Sequence, residues 1–274
     1  MIIITVTVLA IIFGISLPLL LNLINHGYDF WWFIVFFLMG FVIFSLLFVI
    51  WLLIYLALYD KSKGPKPNKF HDHLTKRICE MVCQLFGVRL HIKGLEKLPL
   101  DKTCLYVSNH LSNFDPVCEI WALRYISFSV IYKNNLDKVP FLGKFLYRGN
   151  HISIDRDNNR KGLESIIKAI RIIEKKESNV LVYPEGTRSK TGNISSFHSG
   201  VFKIAQKAKC PSVVMVLENS DVIKKRRFRT THVYLDILRV IEYEEFKDLN
   251  TNDIANIIHE DIVNDLKEME ELKY

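Results

Sequence analysis

His110 and Asp115 are the two residues of this 274-residue chain whose types and spacing best suit acid–base chemistry. An apolar, strand-like run ends at Val107, and the histidine and the aspartate follow it. On a regular helix, residues five apart point about 140° away from each other, so the two side chains can meet only if the chain turns between them. Ser112 and Asn113 are residue types that favour a turn. A carboxylate that fixes one tautomer of a histidine makes the other ring nitrogen a directional base.

Asp115 also has a second interpretation, as a helix cap. It stands directly before Pro116, and an aspartate at the N-cap with a proline at the first helical position is a common helix start. In that case Asp115 opens a helix over Val117–Tyr125, and His110 is an incidental loop residue. The types and spacing of His110 and Asp115 alone do not distinguish a catalytic pair from a helix cap.

Arginine-bearing turns follow two other predicted strands. Asp155 and Arg156 follow the alternating segment Ile152–Ile154, and a Glu-Gly-Thr-Arg run at 185–188 follows the next apolar segment. Open α/β sheets bind their ligands beyond the carboxyl ends of strands. Each turn alone could be a surface ion pair or a solvated arginine, which contributes little. Together with His110 they predict a site for an anion beside a hydroxyl or acyl group, because the planar guanidinium donates two hydrogen bonds to phosphate.

Strand-like segments alternate with helical ones from residue 88 onward. This alternation predicts an α/β fold, a mixed sheet flanked by helices. One of the helices is predicted over Lys161–Lys176, where apolar residues recur at helical spacing. Its predicted buried stripe is Leu163, Ile166, Ile167, Ile170 and Ile173.

The first 59 residues are predicted to form a two-helix membrane hairpin that precedes the sheet. Asp29 is the only charged side chain among them, and all 36 Lys and Arg come later. The apolar runs Ile2–Ile24 and Phe30–Leu58 are each long enough to cross a bilayer, with a turn at 26–29 between them. The lysines that follow residue 60 place that end in the cytoplasm by the positive-inside rule. A hairpin that dips into one leaflet fits the same composition.

These patterns divide the chain into three parts. Residues 1–59 are the hairpin, residues 60–84 are a basic linker and helix, and residues 85–274 are a cytoplasmic α/β domain. The expected location is therefore the cell membrane, with a multi-pass anchor and the α/β domain on the cytoplasmic side. A single basic run at 224–229 lacks the recognition fold of nucleic-acid binders, so nucleic acid is not an expected partner.

No metal centre is expected from the sequence. The five cysteines show no paired metal-ligand spacing and are predicted to be reduced thiols. His71, Asp72 and His73 lie beside the basic linker at the start of a helical pattern. Their side chains are expected to be solvated rather than to bind a metal.

Several blocks resemble those of the glycerolipid acyltransferases. Asn109–Asp115 resembles the family's block of Asn-His followed by Ser and Asp. Val182–Ser189 is similar to the P-E-G-T-R-S block, and Ile152–Arg156 resembles the middle I-F-I-D-R block. Lys133 and Pro140–Gly143 are similar to lesser features of the 1-acylglycerol-3-phosphate acyltransferases. The blocks occur in the family's order.

The resemblance implies acyl transfer from acyl-CoA or acyl-carrier protein to the sn-2 hydroxyl of 1-acylglycerol-3-phosphate, which gives phosphatidic acid. It implies His110 as the general base and Asp115 as the residue that orients it. It also implies a substrate site made by Lys133, Arg156, Glu185, Gly186, Thr187 and Arg188. The thioester donor is already activated, so no bound cofactor is expected. The expected partners are membrane lipid, the lysophospholipid and the acyl donor, while the oligomeric state is left open.

Two departures from the family pattern put the acceptor in question. Ser153 stands where the family often has an aromatic residue, and Asn150-His151 stands where a glycine pair is common. Asparagine adopts left-handed backbone geometry more readily than most residues, so the turn can survive. The alternatives are another lysophospholipid, an amino-acid lipid, or binding of anionic lipid without catalysis. The basic run at 224–229 is either a solvated loop or a surface for anionic headgroups or CoA phosphates.

Overall fold

The computed structural model describes residues 1–24, 29–60, 64–188, 194–226 and 229–271. The chain forms two compact units, Met1–Gly64 and Pro65–Tyr274. The turn predicted at 26–29 lies outside the described residues except for Asp29. So do Ser189 of the P-E-G-T-R-S block and Arg227 and Phe228 of the basic run.

The first unit consists of two apolar helices, α1 (Ile2–Leu20) and α2 (Trp31–Ala57). Both are long and apolar enough to cross a membrane, and this composition is consistent with membrane association. They pack against each other through small residues. A Cβ on Gly14 would lie 3.0 Å from the backbone of Phe37, and such small residues let helix backbones approach closely in lipid.

The second unit is an α/β domain. Its helices are α3 (Lys69–Leu85), α4 (Asp115–Ala122), α5 (Leu142–Arg148), α6 (Asn159–Glu174), α7 (Lys203–Ala208), α8 (Ile223–Arg226), α9 (Tyr243–Phe246) and α10 (Thr251–Glu271). Its strands are β1 (Val88–Lys93), β2 (Leu105–Ser108), β3 (Phe128–Lys133), β4 (Ile152–Ile154), β5 (Asn179–Val182), β6 (Ser212–Glu218) and β7 (Thr231–Ile241). Short 3₁₀ turns occupy Leu95–Lys97, Asn134–Lys138 and Ser199–Phe202.

The seven strands form one sheet in the order β1-β7-β6-β2-β5-β3-β4. All neighbouring pairs are parallel except β6 and β7, which are antiparallel. The predicted mixed sheet flanked by helices is therefore confirmed. Strand β2 lies near the centre, with β6 on one side and β5 on the other. Its four residues are all buried, as expected for a parallel strand covered on both faces.

A hydrophobic core lies on each face of the sheet. Leu105 and Val107 point into one core, which contains apolar residues of α6, α7 and α10. Tyr106, between them in sequence, points into the other core with residues of α3 and α4. This alternation follows from the two-residue side-chain period of a strand.

Helix α4 corrects the predicted role of Asp115 as an N-cap. Phe114 is the N-cap and the helix ends at Ala122, so Asp115 already lies in the first turn and Pro116 follows it. The carboxylate of Asp115 points back to the preceding loop instead of to the helix amides, because it accepts the backbone N–H groups of Leu111 and Ser112.

Helix α6 corrects the predicted stripe. Leu163 and Ile167 are exposed, at 54% and 38% of their surface. The buried face is instead made by Ser165, Ile166, Ala169, Ile172 and Ile173. Small residues at the centre of this face let the helix approach the sheet, which rotates it away from the most apolar stripe.

His71 also differs from the expectation, because it is buried rather than solvated. Its Nε2 lies 3.0 Å from the carbonyl oxygen of Phe145, and burial lowers its pKa to about 4. His73 is exposed, as expected. No group of three or more metal-ligating side chains occurs among the residues that the structure describes.

Candidate active site

The three polar groups singled out in the sequence lie at one edge of the sheet. They follow strands β2, β5 and β4, which run parallel to one another through β3. The carboxyl ends of parallel strands share an edge, and this is where open α/β sheets bind ligands. The site is therefore built from segments that are distant in sequence and adjacent in the sheet.

His110 and Asp115 meet across a turn. His110 Nδ1 lies 2.7 Å from Asp115 Oδ2, a short distance typical of a charge-assisted hydrogen bond. An ionised carboxylate only accepts hydrogen bonds, so Nδ1 carries the proton and Nε2 keeps its lone pair. The histidine side chain is 18% exposed, whereas the aspartate is fully buried. The geometry is that of a histidine base oriented by a carboxylate.

The carboxylate of Asp115 is held by several donors besides the histidine. Its Oδ2 accepts the backbone N–H groups of Leu111 at 2.7 Å and Ser112 at 2.9 Å. Its Oδ1 accepts the hydroxyl of Ser220, and Ser112 Oγ lies 3.1 Å from the same oxygen. These contacts leave the carboxylate little freedom to rotate, which fixes the direction of its hydrogen bond to His110.

Asn109 fixes the start of the turn. Its side-chain oxygen accepts the backbone N–H of Leu217 at 2.8 Å, and its amide donates to the carbonyl of Leu217 at 2.9 Å. The fully buried amide therefore joins the end of β2 to the end of β6 as a further rung of the sheet would. The turn that carries His110 starts from this point.

Glu185 lies directly against the backbone of the histidine. Its Oε1 accepts the backbone N–H of His110 at 2.7 Å. Its Oε2 accepts the backbone N–H and the hydroxyl of Ser195, both at 3.1 Å. The residue is 3% exposed, so both carboxylate oxygens are occupied by protein donors in a buried place. In this arrangement Glu185 supports the His110 turn rather than presenting a charge to a ligand.

Gly186 brings the Arg156 turn to the Glu185 turn. Its φ is +72°, a left-handed conformation that glycine adopts without strain. A Cβ at this position would lie 2.7 Å from Cδ2 of His198 and 3.5 Å from Nη1 of Arg156. The missing side chain therefore makes room for an imidazole and a guanidinium at the site edge. His198, which lies near the sequence blocks but outside them, is thus a neighbour of the site edge.

The remaining predicted substrate residues are exposed at the same edge. Lys133 ends β3, and its Cα pairs with that of Ile154, two residues before Arg156. Thr187 and Arg188 follow Gly186 and are exposed. No ion pair joins Lys133, Arg156 or Arg188 to another residue in the described part of the chain, so the three cations are available to an anionic ligand.

A buried pair lies beneath the histidine. The ring of Tyr183 stacks on that of His110, with 4.5 Å between centroids and 23° between planes. The tyrosine hydroxyl donates to Oε2 of Glu119, which is fully buried on α4. Burial raises the pKa of Glu119 to about 8 and raises that of Tyr183 well above its ordinary value. The ring of His110 therefore packs on an uncharged Tyr183–Glu119 pair.

Two further side chains are unsuited to act as nucleophiles. Burial raises the pKa of the Cys104 thiol to about 12, so the reactive thiolate is absent at neutral pH. Ser112 Oγ accepts the backbone N–H of Phe114 and lies within hydrogen-bond distance of Asp115 and Ser220, so its hydroxyl is engaged in holding the turn. The arrangement suits direct attack by a bound hydroxyl.

The two departures from the family pattern have local roles. Asn150 adopts a φ of +59°, so it keeps the turn that a glycine would make, and its side chain donates to Glu177. Ser153 donates to Asp137 at 2.5 Å. His151 is buried and accepts the backbone N–H of Val130, which leaves it away from the site edge.

Comparison with known proteins identifies the domain. A sequence profile of the acyltransferase family matches residues 89–218, a segment that contains every predicted site residue. Residues 89–218 therefore match an acyltransferase domain. The family resemblance noted in the sequence is thereby confirmed over this segment.

Curated relatives of the acyltransferase domain share between a quarter and a third of its residues. A 1-acyl-sn-glycerol-3-phosphate acyltransferase of Limnanthes douglasii is 28% identical over 189 residues, which cover 68% of this chain and 66% of that protein. The enzyme of the same name from Borreliella burgdorferi is 26% identical over 192 residues, covering 67% of this chain and 74% of that protein. The match to the plant relative thus spans just under two thirds of its length.

A solved structure has a similar fold. The 1-acyl-sn-glycerophosphate acyltransferase PlsC from Thermotoga maritima superposes with a TM-score of 0.64 and 20% sequence identity. The match covers 82% of this chain and 89% of that protein. It supports the mixed α/β sheet flanked by helices.

Proposed function

We propose that this protein transfers an acyl chain from a thioester donor to the sn-2 hydroxyl of 1-acylglycerol-3-phosphate, producing phosphatidic acid. The observation that carries the proposal is the oriented His110–Asp115 pair at the same sheet edge as the exposed cations of Lys133, Arg156 and Arg188. The printed activity of the curated relatives supports the choice of acceptor. The donor is acyl-CoA or acyl-carrier protein.

In this mechanism Nε2 of His110 takes the proton of the acceptor hydroxyl. The oxygen attacks the thioester carbonyl, a C–O bond forms and the C–S bond breaks. The proton then passes from the imidazolium to the leaving thiolate, which departs as a thiol. Asp115 keeps Nδ1 protonated throughout and stabilises the positive charge that forms on the ring. A positioned base of this kind contributes about 10²- to 10⁴-fold to the rate.

The cations at the edge have the role of binding the phosphate of the acceptor. Arg156 and Arg188 can each present a planar fork of donors, and Lys133 adds a point charge. Gly186 leaves room beside the Arg156 guanidinium, because it has no side chain. The transfer needs no bound metal or cofactor, because the thioester is already activated.

The two apolar helices have the role of holding the enzyme at the membrane that contains its acceptor. We place it in the cell membrane as a multi-pass protein with the acyltransferase domain in the cytoplasm. The basis is the pair of apolar helices and the lysines that follow the second one.

The experiment is acyl transfer in membranes that contain the full chain, with labelled acyl donor and lysophosphatidic acid. We expect His110→Ala to lower turnover by about 10²-fold or more. His73→Ala, which changes an exposed histidine outside the site, serves as the matched control. Turnover near that of the wild type in His110→Ala membranes contradicts the mechanism.

A panel of acceptors and donors tests the substrates. The same membranes are assayed with lysophosphatidic acid, zwitterionic lysolipids and amino-acid lipids, each with acyl-CoA and with acyl-carrier protein. We expect lysophosphatidic acid to be preferred, because the cations favour a dianionic phosphate. Preference for a zwitterionic acceptor contradicts the substrate assignment while leaving the general base untouched.

A further inference from the structure

An exposed apolar surface follows strand β3 in the acyltransferase domain. It consists of Leu136, Val139, Phe141 and Leu142, which we call the β3–α5 surface. The exposed fractions of these side chains are 37%, 41%, 54% and 39%, in chain order. Four large apolar side chains are thus exposed within seven residues, and exposed apolar patches usually mark a binding surface.

Phe141, which is exposed, has a strained backbone conformation. Its φ is +63° and its ψ is −43°, and the backbone N–H of Leu142 donates to the carbonyl of Pro140 at 2.7 Å. This is the hydrogen bond of a classic γ-turn, a rare and strained conformation for a bulky residue. Strain of this kind persists where the surrounding structure imposes it, and it occurs most often at ligand-binding segments.

The surroundings of the turn are rigid. The carboxylate of Asp137 accepts the hydroxyls of Tyr132 at 2.6 Å and Ser153 at 2.5 Å, which joins the loop to β3 and β4. A Cβ on Gly143 would lie 2.4 Å from the carbonyl oxygen of Asp137, so the loop folds tightly onto itself. The apolar side chains are therefore presented outward on a fixed framework.

Lysines surround the β3–α5 surface. Lys133 and Lys138 are exposed and Lys144 is half-buried. None of the three forms an ion pair with a residue in the described ranges. The one acidic residue between them, Asp137, uses its carboxylate in the two hydrogen bonds to hydroxyl groups. The local charge is positive, which complements an anionic partner.

We propose that the β3–α5 surface enters the headgroup region of an anionic lipid bilayer. Apolar side chains among lysines have the composition of segments that lie in the membrane interface, and each lysine near an anionic leaflet adds attraction. The chain also carries two membrane-span candidates, so a bilayer is a partner available to every copy. The β3–α5 surface follows Lys133, the last residue of β3, at the carboxyl edge that carries His110, so docking turns the site edge toward the lipid.

The proposal concerns where the domain docks, and its test does not depend on the reaction catalysed. The full chain is reconstituted in vesicles of phosphatidylcholine with and without phosphatidylglycerol. An environment-sensitive dye is attached at Phe141→Cys, which is selective because all five native cysteines are buried. Val139→Cys provides a second probe that leaves the γ-turn unchanged. Tyr125→Cys is the matched control, since Tyr125 is 74% exposed and precedes β3 at the opposite edge of the sheet.

We expect lipid-borne quenchers near the headgroup to quench the dye at 141 and 139 several-fold more than at 125. The difference in quenching between these positions should be larger in vesicles that contain phosphatidylglycerol. It should be smaller in the double variant Lys138→Glu/Lys144→Glu. Equal quenching at all three positions overturns the proposal. Protection from an aqueous quencher that rises with protein concentration, without quenching by lipid, assigns the surface to a second copy of the chain and also overturns it.

Discussion

The carboxylate of Glu185 accepts the backbone N–H of His110 at 2.7 Å. The turn after β5 thereby holds the turn after β2 in place. A buried carboxylate whose two oxygens are both hydrogen-bonded to the protein would repel a phosphate rather than bind it. We therefore expect Glu185 to act on His110, although the family resemblance assigns its block to substrate binding.

Glu185→Gln tests this distinction. The amide group turns one acceptor into a donor that faces the backbone N–H of either His110 or Ser195. We expect kcat to fall by about 10-fold or more, with little change in the KM for the lysolipid, and the free energy of unfolding to fall by ~1–3 kcal/mol. Arg188→Gln is the comparison, because it should raise KM instead. A higher KM at unchanged kcat for Glu185→Gln would return the residue to the substrate site.

Ser220→Ala is expected to weaken the orientation of Asp115. The hydroxyl of the fully buried Ser220 donates to Oδ1 of Asp115 from the connection between β6 and β7. Loss of one such hydrogen bond costs ~1–1.5 kcal/mol, which corresponds to about a 5- to 10-fold lower kcat. Steady-state kinetics measure this, with Ser196→Ala as the exposed control. If both serine variants keep the wild-type kcat, the contact has no part in positioning Asp115.

Glu119 should make the protein less stable as the pH rises. Its pKa in the folded protein is about 8, above its ordinary value of 4.5, because burial disfavours the charge. Between these values the folded state keeps a proton that the unfolded chain releases, so this contribution to the free energy of unfolding is full below pH ~4.5 and is lost as the pH rises to ~8. The total effect is on the order of 5 kcal/mol.

Denaturation of the purified protein in lipid nanodiscs across this pH range measures the slope. Glu119→Gln should flatten it, whereas Glu164→Gln, a change at an exposed carboxylate on α6, should leave it as in the wild type. An identical pH dependence in wild type and Glu119→Gln would show that the group titrates alike in both states.

Gly186→Ala should damage the site through sterics alone. The new methyl group would lie 2.7 Å from the ring of His198 on a backbone with a φ of +72°, so the ring and its neighbour Arg156 must move. We expect a loss of ~1–3 kcal/mol in stability and a higher KM for the anionic acceptor. Gly200→Ala is the matched control, since a Cβ there meets no atom within 4 Å. Thermal unfolding and the KM for the acceptor are measured for both variants. Equal stability and equal KM in Gly186→Ala and Gly200→Ala would contradict the steric argument.

The sequence by itself determined the apolar N-terminal segment, the strands and the placement of the polar groups after them. Runs of apolar residues over Leu105–Ser108 and Ser212–Glu218 have one explanation in a strand buried on both faces, so local pattern and final structure agree. His110 and Asp115 were identifiable because they are close in sequence and of types that form a catalytic pair. The family order of the sequence blocks also indicated that the turns carrying Arg156 and Glu185 belong to the same site.

Only the tertiary structure decided which other residues complete the site. Ser220 reaches Asp115, and Glu119 reaches Tyr183, across separations in sequence of 105 and 64 residues that no local pattern records. The buried face of α6 was likewise set by the sheet it packs on, so Leu163 remained outside. Local periodicity shows only how apolar each face of a helix is. Which face is buried depends on close packing, and which polar groups pair depends on the need to satisfy buried hydrogen bonds. Both depend on residues that only the whole fold brings together.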